Sequence, residues 1–360
     1  MKRRKRRYRF FRSRKKRKKG FRRILWGFAA LILLFLLGRY FAPSSWEIPW
    51  WVAAKVPQQI TVLGWQIPEK ILDGLRDADD FLQEQADEIK RKWRELTGQS
   101  NGVMPLPETG ELTVDFLDVG QGDCALIQVD GHAMLFDCGP EDTGTYVQKY
   151  LEEQKIETLD YVIGSHPDSD HIGGMDVVIS KFDCGTILMP EAEKDSSSVQ
   201  DVEQALACRG YETAAPEPGW VYELGNASFT VLAPIWYYED DTNNNSIAIR
   251  LVYGSNSFLF TGDAEEEEEA DMVANGINMR SDVYQAGHHG SSTASSWRLL
   301  TAVRPSYTVI SCGEGNDYGH PHKEVLERLT AMGSKIYRTD RQGTVRVTSD
   351  GEILSWMTER

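Results

Sequence analysis

Ten consecutive residues, Ser165-His-Pro-Asp-Ser-Asp-His-Ile-Gly-Gly174, constrain this chain more than any other stretch. His166, Asp168, Asp170 and His171 fall within six positions, directly after the short apolar run Leu159–Ile163. Two imidazoles and two carboxylates this close would each need a partner if buried, and the carboxylates would repel each other. A bound cation removes both difficulties, because imidazole and carboxylate are natural ligands of Zn, Mn and Fe. The plain alternative is a solvated polar loop, and the residue set favours the cation. Such a loop is best presented from the end of a strand on a rigid scaffold.

From Leu112 onward the pattern predicts alternating strands and helices. Strands are expected at 112–117, 125–129, 133–136, 159–163, 228–232, 247–252, 257–260, 283–285 and 307–310. Asp130-Gly131 marks a hairpin between the second and third of these. Helices are expected at 146–154, 199–208, 264–274 and 323–332, the third opening on the acidic run Glu265–Glu269, which suits the positive end of a helix dipole. The ordering favours sheets covered by helices. Seven histidines exist, and five of them (His166, His171, His288, His289 and His320) sit in glycine-flanked loops just after expected strands. Asp263, in Phe-Thr-Gly-Asp, adds an isolated carboxylate of the same kind. Convergence of these loops on one edge is the strong signal; any one of them alone is weak.

The motifs Leu117-Asp-Val-Gly-Gln-Gly-Asp123, Phe136-Asp-Cys-Gly139, Ser165–Gly174, Asn244-Asn-Ser246, Thr261-Gly-Asp263, His288-His-Gly-Ser291 and Gly319-His-Pro321 together resemble the metallo-β-lactamase fold. More narrowly, they are similar to the extracellular domain of ComEC-type competence (DNA-uptake) proteins. The resemblance covers about residues 112–350 and implies an αββα sandwich of the α/β class around two divalent metal ions, Zn or Mn. It implies that His166 and Asp168 bind one ion, that Asp170 and His171 bind the other, that Asp263 bridges them, and that His320 completes the ligand set of the second ion. His288 and His289 are implied as a ligand or a contact to the scissile phosphate. Asn245, Ser246 and Ser291 are candidates for substrate contact. Asp137 would brace the motif loop by hydrogen bonds. Asp118 and Gln121 are expected to make structural hydrogen bonds. Asp168 stands where the fold's common motif has histidine, which makes the site harder and favours Mn or a Zn/Mn mixture. Residues 172–287 lack histidine, so Asn245, Ser246 or His288 would have to fill the place where many relatives carry one.

The remaining third of the chain lies outside this resemblance. Residues 1–23 hold 16 Lys/Arg and no acid, whereas 24–360 hold 24 Lys/Arg against 54 Asp/Glu, leaving a body near -30. The apolar stretch 24–42 predicts an uncleaved transmembrane signal anchor, a cleaved signal peptide being the alternative. The positive-inside rule then keeps 1–23 cytoplasmic and sends the rest outside the cell. Residues 43–110 read as a membrane-proximal stalk, with an amphipathic helix over 69–97 and a linker at 98–110. That helix either docks on the catalytic domain (111–360) or dimerises the protein. Five cysteines are an odd number for an exported chain, and Cys124 and Cys138 are expected as buried free thiols rather than a disulfide.

These features lead to a membrane-anchored extracellular phosphodiesterase or nuclease acting on DNA. Two metals about 3.5–4 Å apart activate water and neutralise charge on the attacking and leaving oxygens. Asp170 and Asp263 would orient the nucleophile, and His289 or His320 would protonate the leaving group. The acidic body argues against a polyanionic substrate. It supports a rival reading, hydrolysis of a nucleotide or an envelope phosphodiester such as teichoic acid. A β-lactamase or a non-catalytic binding module fits less well.

Overall fold

The computed structural model describes residues 104–360, apart from 109, 192, 193 and 240, together with the backbone of residues 61–62 and 65–66. The expected basic tail, the anchor at 24–42 and the helix at 69–97 lie outside the described residues. Among the described residues, no helix is long and apolar enough to cross a membrane. Two compact units divide the chain. In the first (1–101), Thr61–Val62 pairs antiparallel with Trp65–Gln66. The second (102–360) carries every ligand-type motif.

The first half of the second unit supplies β1 (Leu112–Phe116), β2 (Ala125–Val129), β3 (His132–Phe136), β4 (Thr158–Ile163), β5 (Asp183–Leu188) and β6 (Thr213–Ala214). The second half supplies β7 (Val221–Leu224), β8 (Ala227–Ala233), β9 (Ala248–Tyr253), β10 (Asn256–Phe260), β11 (Val283–Gln285), β12 (Tyr307–Ile310) and β13 (Lys335–Arg338). A C-terminal hairpin, β14 (Val345–Ser349) and β15 (Leu354–Thr358), returns to the first half. The sheet orders are β15-β14-β1-β2-β3-β4-β5-β6 and β13-β12-β11-β10-β9-β8-β7. Each sheet is antiparallel on one side and parallel on the other, with the change at β3 and at β10.

Alternation along the strands builds the layers. Leu112, Val114 and Phe116 of β1 face the second sheet, where they join Phe229, Leu251, Phe258 and Phe260 in one core. The Phe260 ring lies 6.0 Å from that of Phe116 and 5.2 Å from that of Phe136. Each such side chain stabilises the sandwich by roughly 1.5–3 kcal/mol. The outer face of the first sheet is covered by α1 (Gly144–Glu153), α2 (Ser169–Ile172), α3 (Met175–Lys181) and α4 (Ser197–Arg209). The outer face of the second is covered by α5 (Glu266–Asn275), α6 (Trp297–Val303) and α7 (Lys323–Ala331). The result is the expected αββα sandwich. All five cysteines are free thiols, and Cys124 and Cys138 are fully buried.

The odd residues of β1 point to the outer face and are not all apolar. Asp115 pairs there with Arg346, its register partner on β14, and accepts a hydrogen bond from the Tyr150 hydroxyl at 2.8 Å. The same guanidinium donates to Gln154 and to the Pro105 carbonyl, while Gln154 donates to the Met104 carbonyl. Residues 104–108, expected as linker, are therefore pinned onto the sheet. They run to a cleft shared with the Asp130-Gly131 turn and the start of β4, at the end of the sheet opposite the motif loops. None of the motif loops lines that cleft.

α5 departs from expectation in a second way. Its acidic first turn sits at the positive end of the helix as expected, yet Glu268 and Glu269 are fully buried there. Glu268 accepts from the Ile235 backbone N–H at 2.8 Å, its other oxygen has no partner, and burial pushes its carboxyl up to about 8. Such a group holds more protons folded than unfolded between about pH 4.5 and 8. Its contribution is therefore full below the lower value and is lost as pH rises through the upper one. In the metal-free protein, Glu268→Gln should raise the urea midpoint at pH 8 and leave it unchanged at pH 4. Glu269, pushed up to about 7 by burial, keeps part of the slope. An equal gain at both pH values would show that Glu268 is ionised in the fold.

Candidate metal centre

β4 ends at Ile163, and the chain turns through Gly164-Ser165 to deliver His166 before α2 begins. α2 is a single turn whose N-cap is Asp168 and whose body contains Asp170 and His171. Its backbone is stitched to neighbouring loops. Cys138 N–H donates to the His171 carbonyl at 2.7 Å, and Asp123 N–H donates to the Asp170 carbonyl at 3.1 Å. This approach requires glycine, since a Cβ on Gly122 would stand 2.4 Å from the Asp170 carbonyl oxygen and one on Gly173 2.3 Å from the Glu141 nitrogen. From the second sheet, Asp263 follows β10, His288 and His289 follow β11, and His320 follows β12. Asp137, His288 and His289 all adopt positive φ, a conformation that costs a non-glycine residue and is held only where the surroundings enforce it.

Asp137 sets the orientation of the loop. It accepts from Ser165 N–H at 2.7 Å, from the Ser165 hydroxyl at 2.9 Å and from His171 Nδ1 at 2.9 Å. His171 Nε2 is thereby turned to Asp263 Oδ1, 3.1 Å away. His289 is fixed in the same manner. Its Nδ1 lies 3.1 Å from the Ser311 carbonyl, so Nε2 faces Asp170 at 3.2 Å and Asp263 at 3.7 Å. His166 Nε2 stands 3.9 Å and His288 Nε2 3.5 Å from Asp263 Oδ2. Asp263 is thus the point on which four imidazoles from both sheets converge. Its own backbone N–H is held by the Ser246 hydroxyl at 3.1 Å.

The electrostatics follow from this crowding. Burial and the neighbouring His171 push the His166 imidazole down to about 3. Burial opposes the charge on His171 as well, but Asp263 and Asp137 flank it and hold its pKa well above the usual histidine range. Burial likewise disfavours ionised Asp263, yet His171 and His289 keep that carboxyl well below its usual range. Protons here stand in for positive charge that the carboxylates demand. Several buried atoms lack a well-formed hydrogen bond: His166 Nε2, His171 Nε2, Asp263 Oδ1 and the carboxylate of Asp123, whose Oδ1 has His289 Nδ1 3.3 Å away. Ligand atoms of Asp123, His171, Asp263 and His289 all lie within 4.8 Å of one another. Nitrogen and oxygen donors left bare and convergent fit divalent metal ions.

The remaining expected residues are placed less centrally. His320 lies at the rim, its ring 6.2 Å from that of His289 and 5.7 Å from that of His288, with Gln121 3.4 Å from its Nδ1. Burial and the adjacent imidazoles push it down to about 4, so it is neutral near pH 7. Asn245 is consumed within its own loop by Tyr238 and Asp241, and Ser246 braces Asp263, so neither side chain is offered to a substrate. Ser291 bonds Thr293 and is buried. Asp118 pairs with Arg360 away from the cluster. Asp123, which closes the Leu117–Asp123 motif, carried no expected role in the site. The signal available was Gly-Asp immediately before a strand. Glu265, whose carboxylate lies 3.1 Å from His288 Nδ1, carried none either.

Comparison with known proteins gives the following relatives. Residues 117–314 match the family model described as the metallo-β-lactamase superfamily. The chain is 28% identical over 256 residues to ComE operon protein 3 of Bacillus subtilis, covering 66% of this chain and 33% of that protein. It is 34% identical over 243 residues to competence protein ComA of Neisseria gonorrhoeae, covering 67% of this chain and 33% of that one. The chain thus spans about a third of the length of these curated relatives. Among solved structures, a diiron β-hydroxylase of Streptomyces venezuelae superposes with a TM-score of 0.46 at 14% identity, over 68% of this chain and 55% of that one.

Proposed function

This chain belongs to the metallo-β-lactamase superfamily, and from that premise we propose that it is a metal-dependent phosphodiesterase that cuts DNA. The basic tail and the apolar stretch that follows it in sequence support anchoring to a membrane, with the catalytic domain outside the cell. One observation carries the activity: four aspartates, Asp123, Asp168, Asp170 and Asp263, surround the convergent imidazoles. A carboxylate-rich centre suits hard divalent ions and phosphoryl oxygens.

His166, Asp168 and His288 would hold one ion, and Asp170, His171, His289 and Asp123 the other, with Asp263 between them. The ions would supply Lewis acidity and an activated water. The protein's own groups do the rest. Asp137 keeps the proton of His171 on Nδ1, so that Nε2 stays available. The Ser311 carbonyl does the same for His289. Ser246 fixes Asp263, and the neutral His320 at the rim suits an acceptor or a ligand.

The test is to load the full-length chain with Mn²⁺ or Zn²⁺ and compare a DNA strand, bis(p-nitrophenyl) phosphate and a chromogenic cephalosporin. Metal-dependent cleavage of DNA and of the simple diester is expected. Hydrolysis of the diester without DNA cleavage would favour the second reading, a nucleotide or envelope phosphodiester. The acidic body, near -30, and Glu265 at the rim speak for that reading. Cephalosporin turnover alone would reject both.

A further inference from the structure

The cluster described above has a charge deficit once a diester is considered. Four carboxylates balance two divalent ions, so a phosphodiester anion would meet a centre of no net charge. Glu265 adds a further negative charge at the rim, where it is about a quarter exposed. Among the described residues, a single lysine or arginine forms an ion pair with an aspartate of the cluster. Lys194, in the loop between β5 and α4, places Nζ 2.6 Å from Asp168 Oδ1. The Thr242 hydroxyl donates to the same oxygen at 2.8 Å, and His166 Nε2 lies 3.8 Å from it. The Lys194 side chain is 35% exposed and that of Asp168 25%, so the pair stands at the mouth of the site rather than in the core. An ammonium has three N–H donors, and Asp168 takes one of them.

We propose that Lys194 binds the substrate phosphate, its ammonium donating to a non-bridging oxygen of a diester seated at the metal centre. The inference rests on the phosphodiesterase reading and names the residue that makes the site selective for an anion. Asp168 holds the ammonium at the mouth by one N–H, and another would turn to the incoming oxygen. Arginine would keep the charge and lose the compact geometry; alanine would lose both.

The experiment uses the full-length, Mn²⁺-loaded chain with Lys194→Ala and Lys194→Arg. The ligands are diphenyl phosphate for calorimetric binding, methyl p-nitrophenyl phosphate as an anionic diester, and dimethyl p-nitrophenyl phosphate as its neutral counterpart. Losing a hydrogen bond to a charged group predicts that Lys194→Ala weakens diphenyl phosphate binding about 10- to 100-fold. KM for the anionic diester should rise by a similar factor. kcat/KM for the neutral triester should stay within about twofold, and Lys194→Arg should regain much of the loss. Metal content should match the wild type. Equal losses on both esters, or a loss of bound metal, would make Lys194 merely the support of Asp168 and overturn the proposal. So would unchanged binding. Lys194-dependent binding of diphenyl phosphate by a wild type that turns over neither ester would sink the hydrolase reading and leave this inference standing. Diester turnover that ignores Lys194→Ala would do the reverse.

Discussion

Replacing Asp263 by alanine is expected to lower metal-dependent turnover by about three orders of magnitude, the scale of losing several kcal/mol of charge stabilisation. The reason is positional. Asp263 is the carboxylate faced by His166, His171, His288 and His289 together, and it is nearly inaccessible to solvent. Its removal leaves those imidazoles without a common counter-charge, so metal stoichiometry measured by elemental analysis should fall along with the rate. The fold should persist, because the sandwich core does not include this side chain. A metal-loaded variant with wild-type turnover would show that Asp263 neither ligates nor bridges.

Arg346→Met is expected to be the most damaging single change to stability. Arg346 and Asp115 are buried between the first sheet and α1, on strands whose pairing joins residues 231 positions apart in the chain. Removing the guanidinium leaves Asp115 charged, fully buried and supported only by Tyr150, which typically costs about 3–5 kcal/mol. Denaturant unfolding should therefore show a large fall in midpoint. Adding Asp115→Asn removes the stranded charge and should recover a good part of the loss. If the double variant were as unstable as the single one, packing of the arginine stem rather than charge would be the cause.

The contrast between these two sites explains what could be read from the chain itself. β1 to β4 and their hairpin were legible because period-two alternation and Asp130-Gly131 are local signals. The loops carrying His166, His171, Asp263 and His289 were legible because ligand-type residues beside glycine, just after an apolar run, are rare in any other setting. α3 is preceded by Gly173-Gly174, β5 contains Gly185, and β13 is four residues long with a charge at each end, so none of these announces itself by composition. The β14–β1 pairing leaves no periodic trace at all, since contact across more than two hundred residues is set by the closure of the sandwich. Asp123 was hidden for a different reason: turn chemistry accounts for an aspartate after Gly-Gln-Gly without any ligand. The two buried glutamates of α5 were hidden because the helix dipole explains acids at that place just as well.

The way the chain joins the sandwich has a mechanical consequence. Met104 and Pro105 are held through their carbonyls by Gln154 and Arg346, and Met104 itself is buried against the α1 layer. A force applied to the chain at Met104 would therefore be delivered to β14, β1 and α1, which share that hydrogen-bonded anchorage. The ligand loops lie off this load path, at the other end of the strands. The aspartates and imidazoles share none of those anchoring bonds.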